Sequence, residues 1–328
     1  MTDDTPGLLL ARLDTPTTSQ SIRLAAVADP HVSTRAEGTS KLFEHTLDHF
    51  EAAIDDIASR HVDAVLSPGD LTKDGEEWNA AAVENALESL DAPFYAVPGN
   101  HDVPKVGDAH DTLAVDGFAD RFGAGAYPFH EQVGDLDVLG LNSSGSGNRL
   151  TETHDGHIDH DQRNWLAAKL DGVDDPLVLV HHNLEPVTDQ LRRHRDRVSE
   201  EMAIPPTMRD VDTFVDVLAD GGASLVLTGH FHLPLTGMDR GVREIATPTT
   251  CSFPQSYLLL EVGPSGTEIR LVPIADQDGL GLAHDRRTRD STTARGLTSI
   301  GAARQHRCRW STTRSNRQTS TPSNRPRR

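Results

Sequence analysis

Val97-Pro98-Gly99-Asn100-His101-Asp102-Val103-Pro104 is the stretch on which the reading of this chain turns. An apolar run beginning near Pro93 leads into it and stops abruptly at polar residues. Glycine allows a tight turn, after which an amide, an imidazole and a carboxylate share one short loop. Three ligand-capable groups at the edge of a core are costly to place. Turns also favour Asn, Asp and Gly for backbone reasons alone, so the segment needs company. Four other stretches supply it.

Residues 22–28 read as a buried strand that ends at Asp29-Pro30-His31. Residues 62–66 form a second, ending at Pro68-Gly69-Asp70, and 94–97 a third, ending at the opening loop. Helices are expected between them. One runs from about 41 to 60, with Leu42, Phe43, Leu47, Phe50, Ile54 and Ile57 at helical spacing; the other covers 76–90. This alternation has the period of βα units and predicts an α/β fold with an at least partly parallel sheet. Later strands at 176–180 and 224–227 end at His181-His182 and at Gly229-His230-Phe231-His232. Segments 136–141, 244–246, 257–262 and 268–272 are further strands, the last three antiparallel, and 162–168 and 211–218 are helical. In such sheets ligands sit beyond the carboxyl ends of the strands, where all of these polar turns fall.

Composition narrows the class. The formal net charge is −19, yet residues 283–328 hold twelve arginines and two aspartates, so the preceding 282 residues carry −29. Four lysines stand against 27 arginines. A dense acidic surface with scarce lysine points to a high-salt, halophilic source, where screening tolerates the self-repulsion. It also argues against avid nucleic-acid binding, which rests on basic contacts, except through the basic tail. Two distant cysteines make neither a disulfide framework nor a thiolate zinc site. No signal-peptide pattern and no apolar run of membrane-spanning length occurs, so the expected location is the cytoplasm. Residues 1–20 are expected to be a flexible lead, 21–275 the folded domain, and 276–328 a disordered Arg/Ser/Thr-rich tail.

The strand-end residues are Asp29, His31, Asp70, Asn100, His101, His181, His230 and His232. Asp29/His31 and His230/His232 are each one residue apart, which in extended chain puts both side chains on one side. Oxygen and nitrogen donors without thiolate suit Mn, Fe, Zn, Co or Ni rather than calcium. Seven ligands exceed what one tetrahedral ion takes, and two ions sharing a carboxylate accommodate them. His182 beside His181 is read as supporting the site rather than holding metal. His154, His157 and His160, in a polar loop, are read as solvent-exposed.

The order DxH, GD, GNHD, H and GHxH resembles the calcineurin-like metallophosphoesterases, here as Asp29-Pro30-His31, Gly69-Asp70, Gly99-Asn100-His101-Asp102, His181 and Gly229-His230-Phe231-His232. The resemblance implies a four-layer α/β/β/α sandwich of two mixed β-sheets flanked by helices. It implies that Asp29, His31, Asp70 and His232 hold one metal ion, and that Asp70 (bridging), Asn100, His181 and His230 hold the other. His101 is then the non-ligand catalytic histidine, with Asn100 stabilising developing charge and Asp102 orienting His101. The implied reaction is attack of a metal-held hydroxide on the phosphorus of a small phosphoester. Lys73 and Pro98 stand where protein Ser/Thr phosphatases have arginine, and Lys73 where purple acid phosphatases have tyrosine. The layout most resembles the bacterial and archaeal cyclic-nucleotide and glycerophosphodiester phosphodiesterases, a group often homodimeric. A nuclease of the superfamily and a metal-free interaction scaffold on the same fold are the alternatives.

Overall fold

The computed structural model describes residues 7–105, 107–145, 150, 153–198, 201–289 and 291–311. In chain order the first half runs β1 (Leu8–Leu13), β2 (Ile22–Ala26), a 3-10 turn at Phe43–His45, α1 (Thr46–Ala58), β3 (Ala64–Ser67), α2 (Glu77–Leu87), β4 (Phe94–Ala96) and α3 (Val115–Phe122). The second half runs β5 (Phe129–Val133), β6 (Leu136–Gly140), α4 (His160–Leu170), β7 (Leu177–Leu179), α5 (Glu185–Arg195), α6 (Val211–Asp220) and β8 (Leu225–Thr228). It closes with β9 (Leu235–Asp239), β10 (Val242–Ala246), β11 (Ser256–Gly263), β12 (Gly266–Pro273), α7 (Gln277–Arg287) and α8 (Thr292–Ser311).

These strands form two mixed six-stranded sheets, ordered β1-β12-β11-β2-β3-β4 and β5-β6-β7-β8-β10-β9. β2, β3 and β4 pair in parallel, as do β6, β7, β8 and β10. The two sheets face each other. Leu24, Ala26 and Leu66 from the first meet Val138, Leu179 and Leu227 from the second in one buried cluster. Strand alternation then sends Ala25, Val27 and Val65 outward, onto Phe50, Ile54 and Phe118 of the covering helices. The outer face of the second sheet likewise covers Leu166, Phe214 and Leu218. Helix, sheet, sheet, helix is the four-layer sandwich expected.

Three expectations change. β10 is antiparallel to β9 but parallel to β8, so of the three segments expected to be antiparallel only β11 and β12 are wholly so. The lead is not loose over its length: β1 pairs with β12, with Leu13 opposite Thr267. An edge of β12 left bare would need a partner, and the apolar run Leu8-Leu9-Leu10 provides it. The tail is helical through α7 and α8, because Leu297 and Ile300 bury against Val187, Leu191, Phe231 and Leu233. Few apolar residues suffice when they fall on one face. Residues 1–6 and 312–328 of the expected flexible segments lie outside the described residues. Among the described residues no helix is long and apolar enough to cross a membrane.

Candidate metal centre

The five polar turns meet at one end of the sandwich. Gly99 fixes how closely two of them approach, since a Cβ there would come within 2.0 Å of Asp70 Oδ1. The same Asp70 oxygen accepts the His101 amide at 2.8 Å. Gly69, at φ +96°, makes the matching turn on the other strand.

Backbone conformation differs from the extended geometry read from the sequence. Asp29, His31, Asp70, His230 and His232 all have φ between +45° and +67°, the left-handed region. Each such residue costs roughly 1–3 kcal/mol, and this kind of strain gathers at functional sites. Hydrogen bonds between the turns offset it: Asp29 N donates to Gly69 O at 2.9 Å, and His31 N to Asp70 O at 3.0 Å. Asp29 in turn accepts the His230 amide at 3.0 Å. Left-handed turns, not strand alternation, aim these side chains at a common point.

All seven residues read as metal ligands converge. His31 Nε2 lies 3.5 Å from Asp70 Oδ2, and His181 Nε2 lies 3.6 Å from the same oxygen. Asp70 therefore stands between two histidines. His232 Nε2 is 3.6 Å from Asp29 Oδ1 and 3.1 Å from His31 Nε2. On the other side His181 Nε2 is 3.1 Å from Asn100 Oδ1. Tautomers follow from the carbonyls behind the rings. His181 Nδ1 donates to Pro68 O at 2.7 Å, which leaves a lone pair on Nε2. His230 Nε2 donates to Pro206 O at 2.8 Å, which leaves the lone pair on Nδ1. Three acceptors, Asp70 Oδ2, Asn100 Oδ1 and His181 Nε2, thus face one another with no hydrogen between them. A cation fits that arrangement and an empty polar void does not.

Electrostatics agree. Burial presses Asp70 toward its neutral form, but His181, His101, His31 and Lys41 outweigh it and hold the carboxyl well below its ordinary range. Burial and the charge of Asp70 push Asp29 up. Burial also lowers His31, His181 and His232, and brings His230 down to about 3. The histidines are neutral at pH 7, the form that ligates metal.

His182 accepts from Ser143 Oγ at Nδ1 (2.8 Å) and donates from Nε2 to His154 O (3.0 Å), so both ring nitrogens are engaged. It groups with His181 and His230 by distance alone.

Two readings are corrected. Asp102 does not orient His101. Its carboxylate accepts from the amides of Leu71 (3.1 Å), Thr72 (2.9 Å) and Gly99 (3.0 Å) and from the Thr72 hydroxyl, binding the two loops together. Burial and then Asp70 push its pKa up to about 7 against those bonds. His101 is held instead by Nδ1, 2.7 Å from Lys73 O and 3.0 Å from Asp74 Oδ1. Asp74 stays well below its ordinary range because hydrogen bonds from His101 and Lys73 outweigh its burial. The second correction concerns His154, which is exposed but faces the site: its Nδ1 accepts from Asn100 Nδ2 at 3.2 Å and so turns Asn100 Oδ1 toward His181.

Sequence reading also missed Lys41 and Arg287. Lys41 Nζ lies 3.1 Å from His31 Nδ1 and 3.4 Å from His101 Nε2. Both cations line the cleft of about 350 Å³ that opens over Asp70, Asn100 and His101. Lys41 had one signal, its rarity in a lysine-poor chain. Arg287 had none, lying among many tail arginines.

Known proteins share this chain's sequence pattern and fold. A family model described as calcineurin-like phosphoesterase matches residues 22–234. The 3′,5′-cyclic adenosine monophosphate phosphodiesterase CpdA of Vibrio vulnificus is 24% identical over 270 residues, 76% of this chain and 86% of that protein. The DNA double-strand break repair protein Mre11 of Haloferax volcanii is 27% identical over 168 residues, 49% of this chain and 34% of that protein. A dimetal phosphatase from Danio rerio shares the fold, with a TM-score of 0.60 at 13% identity over 79% of this chain and 98% of that one.

Proposed function

The chain belongs to the calcineurin-like phosphoesterase family and is a hydrolase of phosphoesters, and from that premise we propose a dinuclear metal-dependent phosphodiesterase acting on small substrates of the cyclic-nucleotide or glycerophosphodiester kind. One observation carries it: Asp70 Oδ2 and Asn100 Oδ1 both face His181 Nε2 as acceptors, and His31 Nε2 approaches the same Asp70 oxygen. Asp29, His31, Asp70 and His232 would hold one cation, and Asp70, Asn100, His181 and His230 the other. The oxygen and nitrogen donors suit Mn, Fe, Zn, Co or Ni. When bound, such a pair neutralises phosphoryl charge and makes water acidic enough to serve as nucleophile near neutral pH.

The chain's own groups do the rest. Asp74 and Lys73 O fix His101 by its Nδ1, so its Nε2 points into the cleft, where it can hand a proton to the departing alcohol. Asp74 balances the charge the ring takes on. Lys41, beside His101 Nε2, is the nearest ammonium for a phosphoryl oxygen. A His31 that served as ligand through Nε2 would carry its proton on Nδ1 and could no longer accept there from Lys41.

The cytoplasm, a high-salt source and a homodimer complete the proposal, supported by the acidic body and the resemblance in motif layout. Hydrolysis of bis-p-nitrophenyl phosphate with added Mn²⁺ tests the mechanism. Asp70→Ala is expected to abolish turnover and lower metal content; turnover equal to the wild type sinks the reading.

A further inference from the structure

Arg287 ends α7 and is only 2% exposed, yet it lines the same cleft as Asp70 and His101. Its one hydrogen bond goes from Nη1 to Phe253 O. Among the described residues no carboxylate lies within ion-pair distance of its guanidinium. Asp29 acts on it only from beyond that distance, and a buried cation with no direct acid partner is expensive. Burial brings its pKa down to about 10, so it remains a cation at neutral pH.

A second feature points to the same place. Ser291, Thr293 and Ala294 also line the cleft, and they belong to the N-terminal start of α8, a helix of 20 residues. The first amides of a helix lack intrahelical partners and carry the positive end of its dipole. The Ser291 hydroxyl accepts the Ala294 amide at 3.2 Å, which leaves the amides of Thr292 and Thr293 for a ligand. α8 is held in place by Leu297 and Ile300 against Phe231, the residue between His230 and His232. The helix start and the metal ligands are therefore fixed to one another. Lys41 Nζ lies 3.4 Å from His101 Nε2, whereas among the described residues no hydrogen bond joins Arg287 to His101, and the guanidinium is anchored at Phe253 O.

We propose that Arg287 and the N-terminus of α8 form an anion-receiving subsite that takes a second anionic group of the substrate, so that this enzyme selects phosphoesters whose alcohol itself carries a phosphate or carboxylate. The inference rests on the phosphodiesterase reading and narrows it. It assigns a specificity role to a segment that lies C-terminal to the family motifs.

Calorimetric binding of thymidine 3′,5′-bisphosphate and thymidine 5′-monophosphate to the full chain with Mn²⁺ tests it. The wild type is expected to bind the bisphosphate about 10-fold or more tightly than the monophosphate, the scale of charge-assisted hydrogen bonds. Arg287→Gln is expected to remove most of that preference. Arg287→Lys, which keeps the charge but not the planar fork, is expected to weaken it and serves if the glutamine variant does not fold. Equal affinities in the wild type, or an unchanged preference in either folded variant, overturn the subsite. Absence of diester hydrolysis with the binding preference intact sinks the catalytic reading and leaves the subsite standing.

Discussion

His31 Nε2 and His232 Nε2 lie 3.1 Å apart, although 201 positions of sequence separate them. Two neutral imidazoles held tip to tip beside Asp29 and Asp70 are grouped as a metal ion would need. Manganese is therefore expected to stabilise the protein. At a free concentration 100 times its dissociation constant the gain is about 2.7 kcal/mol if the unfolded chain does not bind it. A chelator should reverse the rise in melting temperature. Melting curves unchanged by Mn²⁺, Zn²⁺ and chelator alike would count against the centre.

His101 donates to Lys73 O and lies against Asp74, so its role separates from those of the ligands. His101→Ala should lower kcat about 10²- to 10⁴-fold, the usual share of a general acid, with metal content equal to the wild type. Asp74→Asn keeps the shape and removes the charge. Its expected loss in kcat is roughly 10- to 100-fold, as for residues that orient a reacting group. Metal analysis beside steady-state kinetics checks both.

Glu244 on β10 is fully buried, accepting from Asn183 Nδ2, the Thr228 hydroxyl and Leu184 N. Burial raises its pKa to about 7 despite those bonds. The native state then holds a proton that the unfolded chain releases nearer the ordinary carboxylate range. Its contribution is full below about pH 4.5 and declines as pH rises through 7, by on the order of 2–3 kcal/mol. Glu244→Gln removes that titration. The stability of the variant relative to the wild type should increase from pH 4.5 to 7.5; parallel curves in denaturant titrations would exclude it.

Leu297 is 4% exposed, packs in the cluster with Phe231, and also lines the cleft. Leu297→Ala should destabilise the protein by about 2–4 kcal/mol, as buried leucine truncations do. It should also raise KM, because the wall it supports bears the start of α8. A surface position such as Leu282, 43% exposed, provides the control.

The −29 carried by residues 1–282 should make folding depend on salt. Melting temperature is expected to rise from low to molar KCl as self-repulsion is screened. A melting temperature independent of salt would remove the argument for a halophilic source.

The order of elements and the residues that gather at the candidate centre were legible in the sequence, because each signal is local. An apolar strand followed at once by Asp, Asn or His is visible without any partner, and five such junctions in order marked the sheet and the candidate centre. The reading failed where a contact, not a pattern, decides the role. Asp102 sits beside His101 in sequence, but its carboxylate accepts from the amides of Leu71, Thr72 and Gly99, and Asp74 from another loop takes the histidine. The tail looked unable to fold because its apolar residues are few, and their alignment against Phe231 matters only once Phe231 is placed. By itself the sequence determined which groups could ligate and which strands carry them. Only the tertiary structure decided which imidazole nitrogen holds a lone pair, which carboxylate orients His101, and that Arg287 lines the cleft. Those depend on distances of a few ångströms between residues far apart in the chain, where side-chain spacing has no bearing.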